Sequence, residues 1–205
     1  MQTKPSIIAV DMDGTFLTDA KTFDTERFSA ILDRLDARGI RFVVASGNTY
    51  AKLQDYMRGF ENRGLIYIAE NGAYLADDSG QLAVHPFREE DVPAIYEVLD
   101  GLKQIGLLVC TTEGIFLPKD RREQIVHVIR NYFEDTGQSI PDTLTLEDFA
   151  GFFFPGAILV DSIEEARGAP IKFPLLTPPA QTQSINAHLR EVLPEGVTPL
   201  VSGFG

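Results

Sequence analysis

The stretch Ile7–Thr15 reads IIAVDMDGT and joins a short apolar run to two aspartates. Its apolar part, Ile7–Val10, is typical of a buried parallel strand, which is covered on both faces of its sheet. Residues two apart point to the same side of an extended chain, so Asp11 and Asp13 are expected to face one site. In open α/β sheets, ligand sites lie at the carboxyl ends of the strands. The stretch therefore predicts an acidic site at one edge of a parallel sheet.

This pair of acids suits two kinds of chemistry. Two carboxylates on one face can bind a hard, oxygen-seeking cation such as Mg²⁺, and they can also divide the roles of nucleophile and proton donor. Gly14 permits a sharp turn after them, and Thr15 adds a hydroxyl. The alternative is a plain Asp-Gly-Thr turn after a strand. Because Asp11 adds a further carboxylate at the end of the apolar run, the pattern favours a site over a turn.

Length and composition indicate a folded globular chain. Its 205 residues suffice for one large domain or two modest ones, and 44% of them are hydrophobic. The formal net charge of -12 would repel nucleic acid and anionic membranes, so we predict neither as a partner. No apolar run reaches the roughly 20 residues of a membrane span, and the N-terminus leads directly into a strand. We therefore predict a cytoplasmic protein.

Two more short apolar runs, Arg41–Ala45 and Ile66–Ala69, follow the acid pair, and each is preceded by a helical pattern. Strand, helix and strand in this order favour right-handed crossovers, which place the strands side by side and parallel. The second strand ends in Ser46, Gly47 and Asn48. A hydroxyl, a glycine and exposed amides ahead of a helix form a ready anion site, although such residues also commonly cap helices. They gain significance because they lie at the same sheet edge as the acid pair.

After the third strand, the pattern changes from parallel strands to hairpins. A turn over Asp77–Gly80 separates two short apolar runs and predicts the first hairpin. We therefore predict an α/β domain over residues 1–83 and an α+β domain over residues 84–205. Expected features of the second domain include a helix that ends at Gly106 and strands over Ile171–Leu176 and Val197–Val201.

Other features of the second domain leave alternatives open. Cys110 has apolar neighbours, which favour a buried structural thiol over a nucleophile. Lys119, Arg121 and Arg122 could meet an anion, but a solvated charged face is the simpler interpretation. The apolar stretch Gly151–Asp161 is expected to belong to the core, with a contact to a partner as the alternative.

Together the three strand ends resemble the haloacid-dehalogenase-like phosphatases, and within them the Cof-type sugar phosphatases. AVDMDGTFL, residues 9–17, is similar to the first motif of that superfamily, and VVASGN, residues 43–48, is similar to the second. AENGAYL, residues 69–75, resembles the segment that the subgroup carries at its third core strand. The resemblance implies the first part of a Rossmann-like parallel-sheet core, followed by a large α+β cap domain that begins near residue 84.

The resemblance also implies roles for individual residues. Asp11 would be the nucleophile that forms an aspartyl-phosphate and also a ligand of Mg²⁺, and Asp13 would bind the metal through its backbone carbonyl. Asp13 would act as general acid and base, and Ser46 would hydrogen-bond the phosphoryl oxygens. The backbone amides around Met12, Asp13 and Gly47 would complete a phosphate-binding cradle.

Asn48 stands where most relatives have an arginine, and it is assigned with the cradle to phosphate binding. The implied function is a Mg²⁺-dependent phosphatase for small phosphorylated metabolites, sugar phosphates above all. A phosphosugar mutase and a non-catalytic phosphate-binding protein are the alternatives.

In the family, the chain re-enters the core after the cap and supplies a lysine and a Gly-Asp motif with further metal-binding acids. This chain ends at Gly205, before either. We therefore expect that the chain is a fragment or a truncated form, or that another chain completes its sheet. We also expect it to be inactive alone, because the metal and the phosphate dianion would lack those partners. The strand that carries Asp11 would also have an exposed apolar edge, which invites self-association.

Overall fold

The computed structural model describes residues 5–135, 154 and 156–201. The chain divides into two compact units, one up to His85 and the other from Pro86 onward. Each unit combines helices with a sheet, so the α/β class expected from the sequence is confirmed. None of the helices within the described ranges is long and apolar enough to cross a bilayer.

A five-stranded sheet organises the first unit, in the order β1-β2-β3-β4-β5. The strands are β1 (Ile7–Asp11), β2 (Arg41–Ala45), β3 (Ile66–Ala69), β4 (Tyr74–Asp77) and β5 (Gly80–Val84). Parallel pairing joins β1 to β2 and β2 to β3, whereas β3, β4 and β5 pair antiparallel. The predicted bounds of β2 and β3 are confirmed, as is the change from parallel strands to a hairpin.

Two helices, α1 (Thr25–Asp36) and α2 (Tyr50–Tyr56), connect the parallel strands. Asp24 caps α1, because its carboxylate accepts a hydrogen bond from the Arg27 amide at 2.9 Å. Phenylalanine rings with centroids 4.9–5.9 Å apart pack in the core of this unit: Phe16, Phe23, Phe28, Phe42 and Phe60. Phe16 lies in the loop after β1, so this cluster also anchors that loop.

β1 lies at one edge of the sheet, and within the described chain its one neighbour is β2. Ile7 on this strand leaves 57% of its surface exposed. The apolar edge expected from the sequence is therefore present. Such an edge is a template for pairing with another strand.

The second unit has an α+β organisation. Its helices are α3 (Val92–Asp100), α4 (Arg122–Asp135) and α5 (Pro179–Val192). Its strands are β6 (Gly106–Leu107), β7 (Val109–Thr111), β8 (Gly114–Pro118), β9 (Ile158–Val160), β10 (Pro170–Lys172) and β11 (Leu175–Leu176). One sheet has the order β10-β7-β8-β9, and β11 pairs with β6 in another. Among the described strands of this unit, β8 and β9 are parallel and the other pairs are antiparallel.

Two predictions in this unit are wrong for steric and hydrogen-bonding reasons. Gly106 does not end a helix, because α3 ends at Asp100 and Gly106 is buried in β6. A Cβ at Gly106 would lie 3.0 Å from Ile125 Cγ1, so close packing rather than a turn accounts for this glycine. The stretch Ile171–Leu176 forms two strands in different sheets instead of one. Pro174 lies between them and has no N–H with which to continue a ladder.

The predicted strand Val197–Val201 is also wrong, since this segment is irregular. Arg190 of α5 donates to the Pro199 carbonyl at 3.0 Å, so a side chain takes the place of a strand partner there. Most of the apolar stretch Gly151–Asp161 that was assigned to the core lies outside the described residues or in irregular chain. Its segment Ile158–Val160 forms β9.

Arg121 is fully buried, which overturns the solvated-face interpretation for this residue. Its guanidinium donates to the carbonyls of Leu102 at 2.5 Å and Leu99 at 3.2 Å, at the end of α3. A cation that binds the last carbonyls of a helix satisfies them and opposes the negative end of the helix dipole. Cys110 is buried in β7, as expected.

Candidate active site

The candidate site begins where β1 and β2 end side by side. Asp11 is the last residue of β1 and is paired in register with Ala45, so Ser46 is the first residue beyond β2 at the same edge. Thr15 returns toward this edge, and its hydroxyl donates to Asp11 Oδ2 at 3.3 Å. The arrangement of Asp11 beside Ser46 follows from the parallel pairing that the sequence predicted.

The loop after Asp11 turns Asp13 outward. Met12 is fully buried and Leu17 N donates to its carbonyl at 2.9 Å, which closes the loop on the core. Asp13 between them has extended backbone, and Gly14 has a φ of +71°. A Cβ at Gly14 would meet no atom within 4 Å, so the left-handed backbone alone calls for glycine there. As a result Asp13 keeps 42% of its side chain exposed at the sheet edge.

Asn48 links Asp13 to Ser46. Its side-chain Nδ2 lies 2.7 Å from Asp13 Oδ2 and 3.1 Å from Ser46 Oγ. Its backbone N–H also donates to Ser46 Oγ at 3.0 Å. The structure thus brings together Asp13, Ser46 and Asn48, which the sequence assigned to one site. The direct bond from Asn48 to Asp13 was not anticipated.

The residues that follow β3 hold the loop after β2 in place through backbone hydrogen bonds. Glu70 N donates to the Asn48 carbonyl at 3.0 Å, and Asn71 N donates to the Ser46 carbonyl at 3.2 Å. Glu70, Asn71 and the glycine after them all have positive φ, at 51°, 57° and 97°. A Cβ at Gly47 would lie 2.5 Å from Asn71 Oδ1, so the Asn71 side chain in its present position leaves room only for glycine. The AENGAYL segment therefore holds the Ser46–Asn48 loop, a role that its motif resemblance did not specify.

Lys21 is a site residue that the sequence interpretation missed. Its Nζ lies 2.5 Å from Asp13 Oδ1, in an ion pair whose side chains are 53% and 42% exposed. Asp13 therefore has Lys21 on one oxygen and Asn48 on the other. No motif spacing marks Lys21, because only the fold of the loop after β1 brings it to Asp13.

Tyr56 on α2 lies within electrostatic range of the same carboxylate. Burial raises the pKa of its phenol, the negative charge of Asp13 raises it further, and Lys21 opposes this rise. Lys52 Nζ lies 5.2 Å from the centroid of the Tyr56 ring. Tyr56 is half-buried, and its electrostatic interaction with Asp13 adds it to the surroundings of the site.

The acid pair fits Mg²⁺ by its chemistry. Mg²⁺ is usually bound by one or two protein carboxylates, with waters and substrate phosphates as the remaining ligands. Asp11 supplies an exposed carboxylate at the strand end, and Asp13, whose side-chain oxygens contact Lys21 and Asn48, can add its backbone carbonyl two residues on. Within the described ranges, no group of three or more Asp, Glu, His and Cys side chains is arranged to hold a metal ion.

Comparison with known proteins agrees with this geometry. A family model of the haloacid dehalogenase-like hydrolases matches residues 8–192. The chain belongs to this family. The matched region includes both strand ends that carry the site.

Among individual relatives, the 5-amino-6-(5-phospho-D-ribitylamino)uracil phosphatase YbjI of Escherichia coli K12 is 31% identical to this chain over 157 residues. That match covers 77% of this chain and 56% of YbjI, so the chain spans little more than half the length of that relative.

Solved structures show the same fold. SMU.1108c from Streptococcus mutans UA159 has a TM-score of 0.71 and 27% identity, with 92% of this chain and 63% of that chain covered. A haloacid dehalogenase-like hydrolase from B. subtilis has a TM-score of 0.66 and 17% identity, with 90% and 66% covered. This chain therefore shares its fold with both solved structures, although the second is only 17% identical to it.

Proposed function

We propose that this chain carries the catalytic motifs of a Mg²⁺-dependent phosphatase for small phosphorylated metabolites. The observation that carries the proposal is the connection of Asp13, Asn48 and Ser46 by hydrogen bonds of 2.7 and 3.1 Å beside Asp11, at the carboxyl edge of two parallel strands. Carboxylates and an anion-binding loop at that edge suit phosphoryl transfer. Membership of the hydrolase family supports the same reaction class.

The proposed reaction has two steps. First, a carboxylate oxygen of Asp11 attacks phosphorus, the bond from phosphorus to the alcohol oxygen breaks, and protonated Asp13 gives its proton to that oxygen. Second, a water oxygen attacks phosphorus, Asp13 accepts a proton from the water, and the bond from phosphorus to Asp11 breaks. Both carboxylates return to their starting states, and the products are an alcohol and inorganic phosphate.

The residues around Asp11 have separate binding tasks. Ser46 Oγ accepts two hydrogen bonds from Asn48, which leaves its O–H to donate to a phosphoryl oxygen. The backbone amides of Met12, Asp13 and Gly47 are proposed to bind the other oxygens. Bound Mg²⁺, held by the Asp11 carboxylate and the backbone carbonyl of Asp13, would supply positive charge to the phosphoryl oxygens.

That positive charge is needed on electrostatic grounds. Two unit charges about 4 Å apart interact by about 4 kcal/mol at an effective dielectric of about 20. A phosphate dianion at that distance from the Asp11 carboxylate therefore meets about 8 kcal/mol of repulsion. Cations at the site must offset this before Asp11 can attack.

For the substrate, we propose a phosphate monoester of a sugar or sugar alcohol. YbjI is named for a substrate that carries its phosphate on a ribityl chain, and it is 31% identical to this chain over 157 residues. The sequence resemblance to Cof-type sugar phosphatases points to the same class. Hydrolysis of a panel of sugar phosphates, read as released phosphate, tests this assignment.

The decisive variant is Asp11→Asn, assayed with p-nitrophenyl phosphate and Mg²⁺. Any turnover that the unchanged chain shows should disappear in this variant and after addition of EDTA. Asp55→Asn, which changes an exposed aspartate of α2, should retain it. Full turnover by Asp11→Asn would refute the mechanism. Phosphate at a new sugar position without free phosphate would indicate a mutase, and phosphate binding without any turnover would indicate a binding protein.

A further inference from the structure

Lys21 occupies a backbone position that folding alone would give to another residue. Lys21 N donates to the Thr18 carbonyl at 2.9 Å, and Thr18 N donates to the Thr22 carbonyl at 2.9 Å. These bonds close a tight hairpin loop over Asp19–Lys21, and Lys21 has a φ of 57°. The last position of such a loop is left-handed and normally holds glycine or asparagine, because a larger side chain is crowded there.

The ion pair that Lys21 forms does not account for this choice by stability. Its Nζ lies 2.5 Å from Asp13 Oδ1, and the two side chains are 53% and 42% exposed. Ion pairs exposed to this degree contribute little to folding stability. A left-handed lysine whose ammonium pairs with a carboxylate of the candidate site points to a role in function.

The position of the ammonium group indicates what that role is. Asn48 holds the other Asp13 oxygen and also Ser46 Oγ, so Asp13 stands between Lys21 and the proposed phosphoryl-binding loop. Asn48 itself is neutral. The ammonium of Lys21 is therefore the cation in direct contact with the described Asp13–Asn48–Ser46 group.

We propose that Lys21 binds the phosphoryl group of the substrate and exchanges its Asp13 partner for a phosphoryl oxygen when a phosphate monoester enters. This proposal rests on the proposed phosphatase function and assigns to it a binding residue in the loop after β1. The two partners share one carboxylate, because Lys21 Nζ contacts Asp13 Oδ1 and Asn48 of the phosphoryl-binding loop contacts Asp13 Oδ2. The exchange frees one Asp13 oxygen for proton transfer.

The test measures the affinity of the chain for inorganic phosphate by calorimetry at constant Mg²⁺, and the KM for p-nitrophenyl phosphate. Lys21→Met should weaken phosphate binding by about tenfold to hundredfold, the usual range for loss of one charged hydrogen bond. Lys21→Arg should restore most of the affinity. Arg58→Met is the matched control, because Arg58 also forms an exposed ion pair of 2.5 Å with an aspartate in this unit. It should leave the affinity unchanged.

Lys21→Gly distinguishes the effect of losing the lysine side chain from the effect of changing the loop backbone. Glycine accepts the left-handed backbone, so this variant should melt no lower than the unchanged chain and still lose phosphate affinity as Lys21→Met does. Unchanged phosphate affinity in both Lys21→Met and Lys21→Gly would overturn the proposal. If these variants also had a lower kcat, Lys21 would be a positioning residue for Asp13 instead. Failure of the unchanged chain to bind phosphate and to turn over would instead reject the proposed function, and the Lys21 assignment with it.

Discussion

Replacing Asn48 with alanine tests whether the link between the two strand ends matters for the chemistry. The change removes the side-chain bond to Asp13 at 2.7 Å and the bond to Ser46 at 3.1 Å, and it keeps the backbone bond to Ser46. A hydrogen bond to a charged group contributes about 1.5–3 kcal/mol, and one between neutral groups about 0.5–1.5 kcal/mol. Since the site is partly exposed, the lower ends apply, and they add to about 2 kcal/mol.

This amount corresponds to about a thirtyfold loss of kcat/KM for p-nitrophenyl phosphate. Where turnover is too slow to measure, the dissociation constant of inorganic phosphate is the readout, and it should rise because Ser46 loses one of its two hydrogen bonds from residue 48. Gln54→Ala is the matched control, since Gln54 donates a similar side-chain amide bond to Tyr50 at 3.1 Å elsewhere in this unit. A folded Asn48→Ala variant within twofold of the unchanged chain would refute the reasoning.

Two further changes test the edge strand and the support of the second motif. Ile7→Lys places a charge on the exposed edge of β1 and should shift the chain toward monomer in size-exclusion chromatography with light scattering, whereas Ile31→Lys on α1 should not. A chain that is already monomeric at high concentration would contradict this expectation. Gly47→Ala brings a methyl group to 2.5 Å from Asn71 Oδ1, and because that side chain can move, the free energy of unfolding in urea should fall by about 1 kcal/mol, the low end for overpacking. Adding Asn71→Ala should recover most of that loss, and no recovery would show that the clash is not its cause.

The parts of the fold that the sequence predicted well are those set by local patterns. The runs Arg41–Ala45 and Ile66–Ala69 are short, apolar and bounded by turn residues, and both form strands with those bounds. Parallel pairing of consecutive strands then places Asp11 beside Ser46. General rules of strand order were sufficient to predict that these two residues share one edge.

Contacts between distant loops were beyond the sequence. Asn48 and Asp13 are 35 residues apart, and their bond depends on how each loop leaves its strand. The left-handed backbone of Lys21 gave no signal either, because nothing in its residue type favours that conformation. Arg121 was misread because charged residues are mostly solvated, whereas here the carbonyls at the end of α3 receive its guanidinium.

Within the described chain, β1, which carries the proposed nucleophile, is hydrogen-bonded to a neighbouring strand on one side only. Edge elements open locally at a lower free-energy cost than the whole fold. Each such fraying event of β1 would draw Asp11 out of alignment with Ser46 and interrupt the attack on phosphorus. A second strand paired with the free side of β1 would make such local opening rarer. Hydrogen exchange in β1 should then slow, and turnover should rise, in proportion to the fraction of chains in which that side is paired.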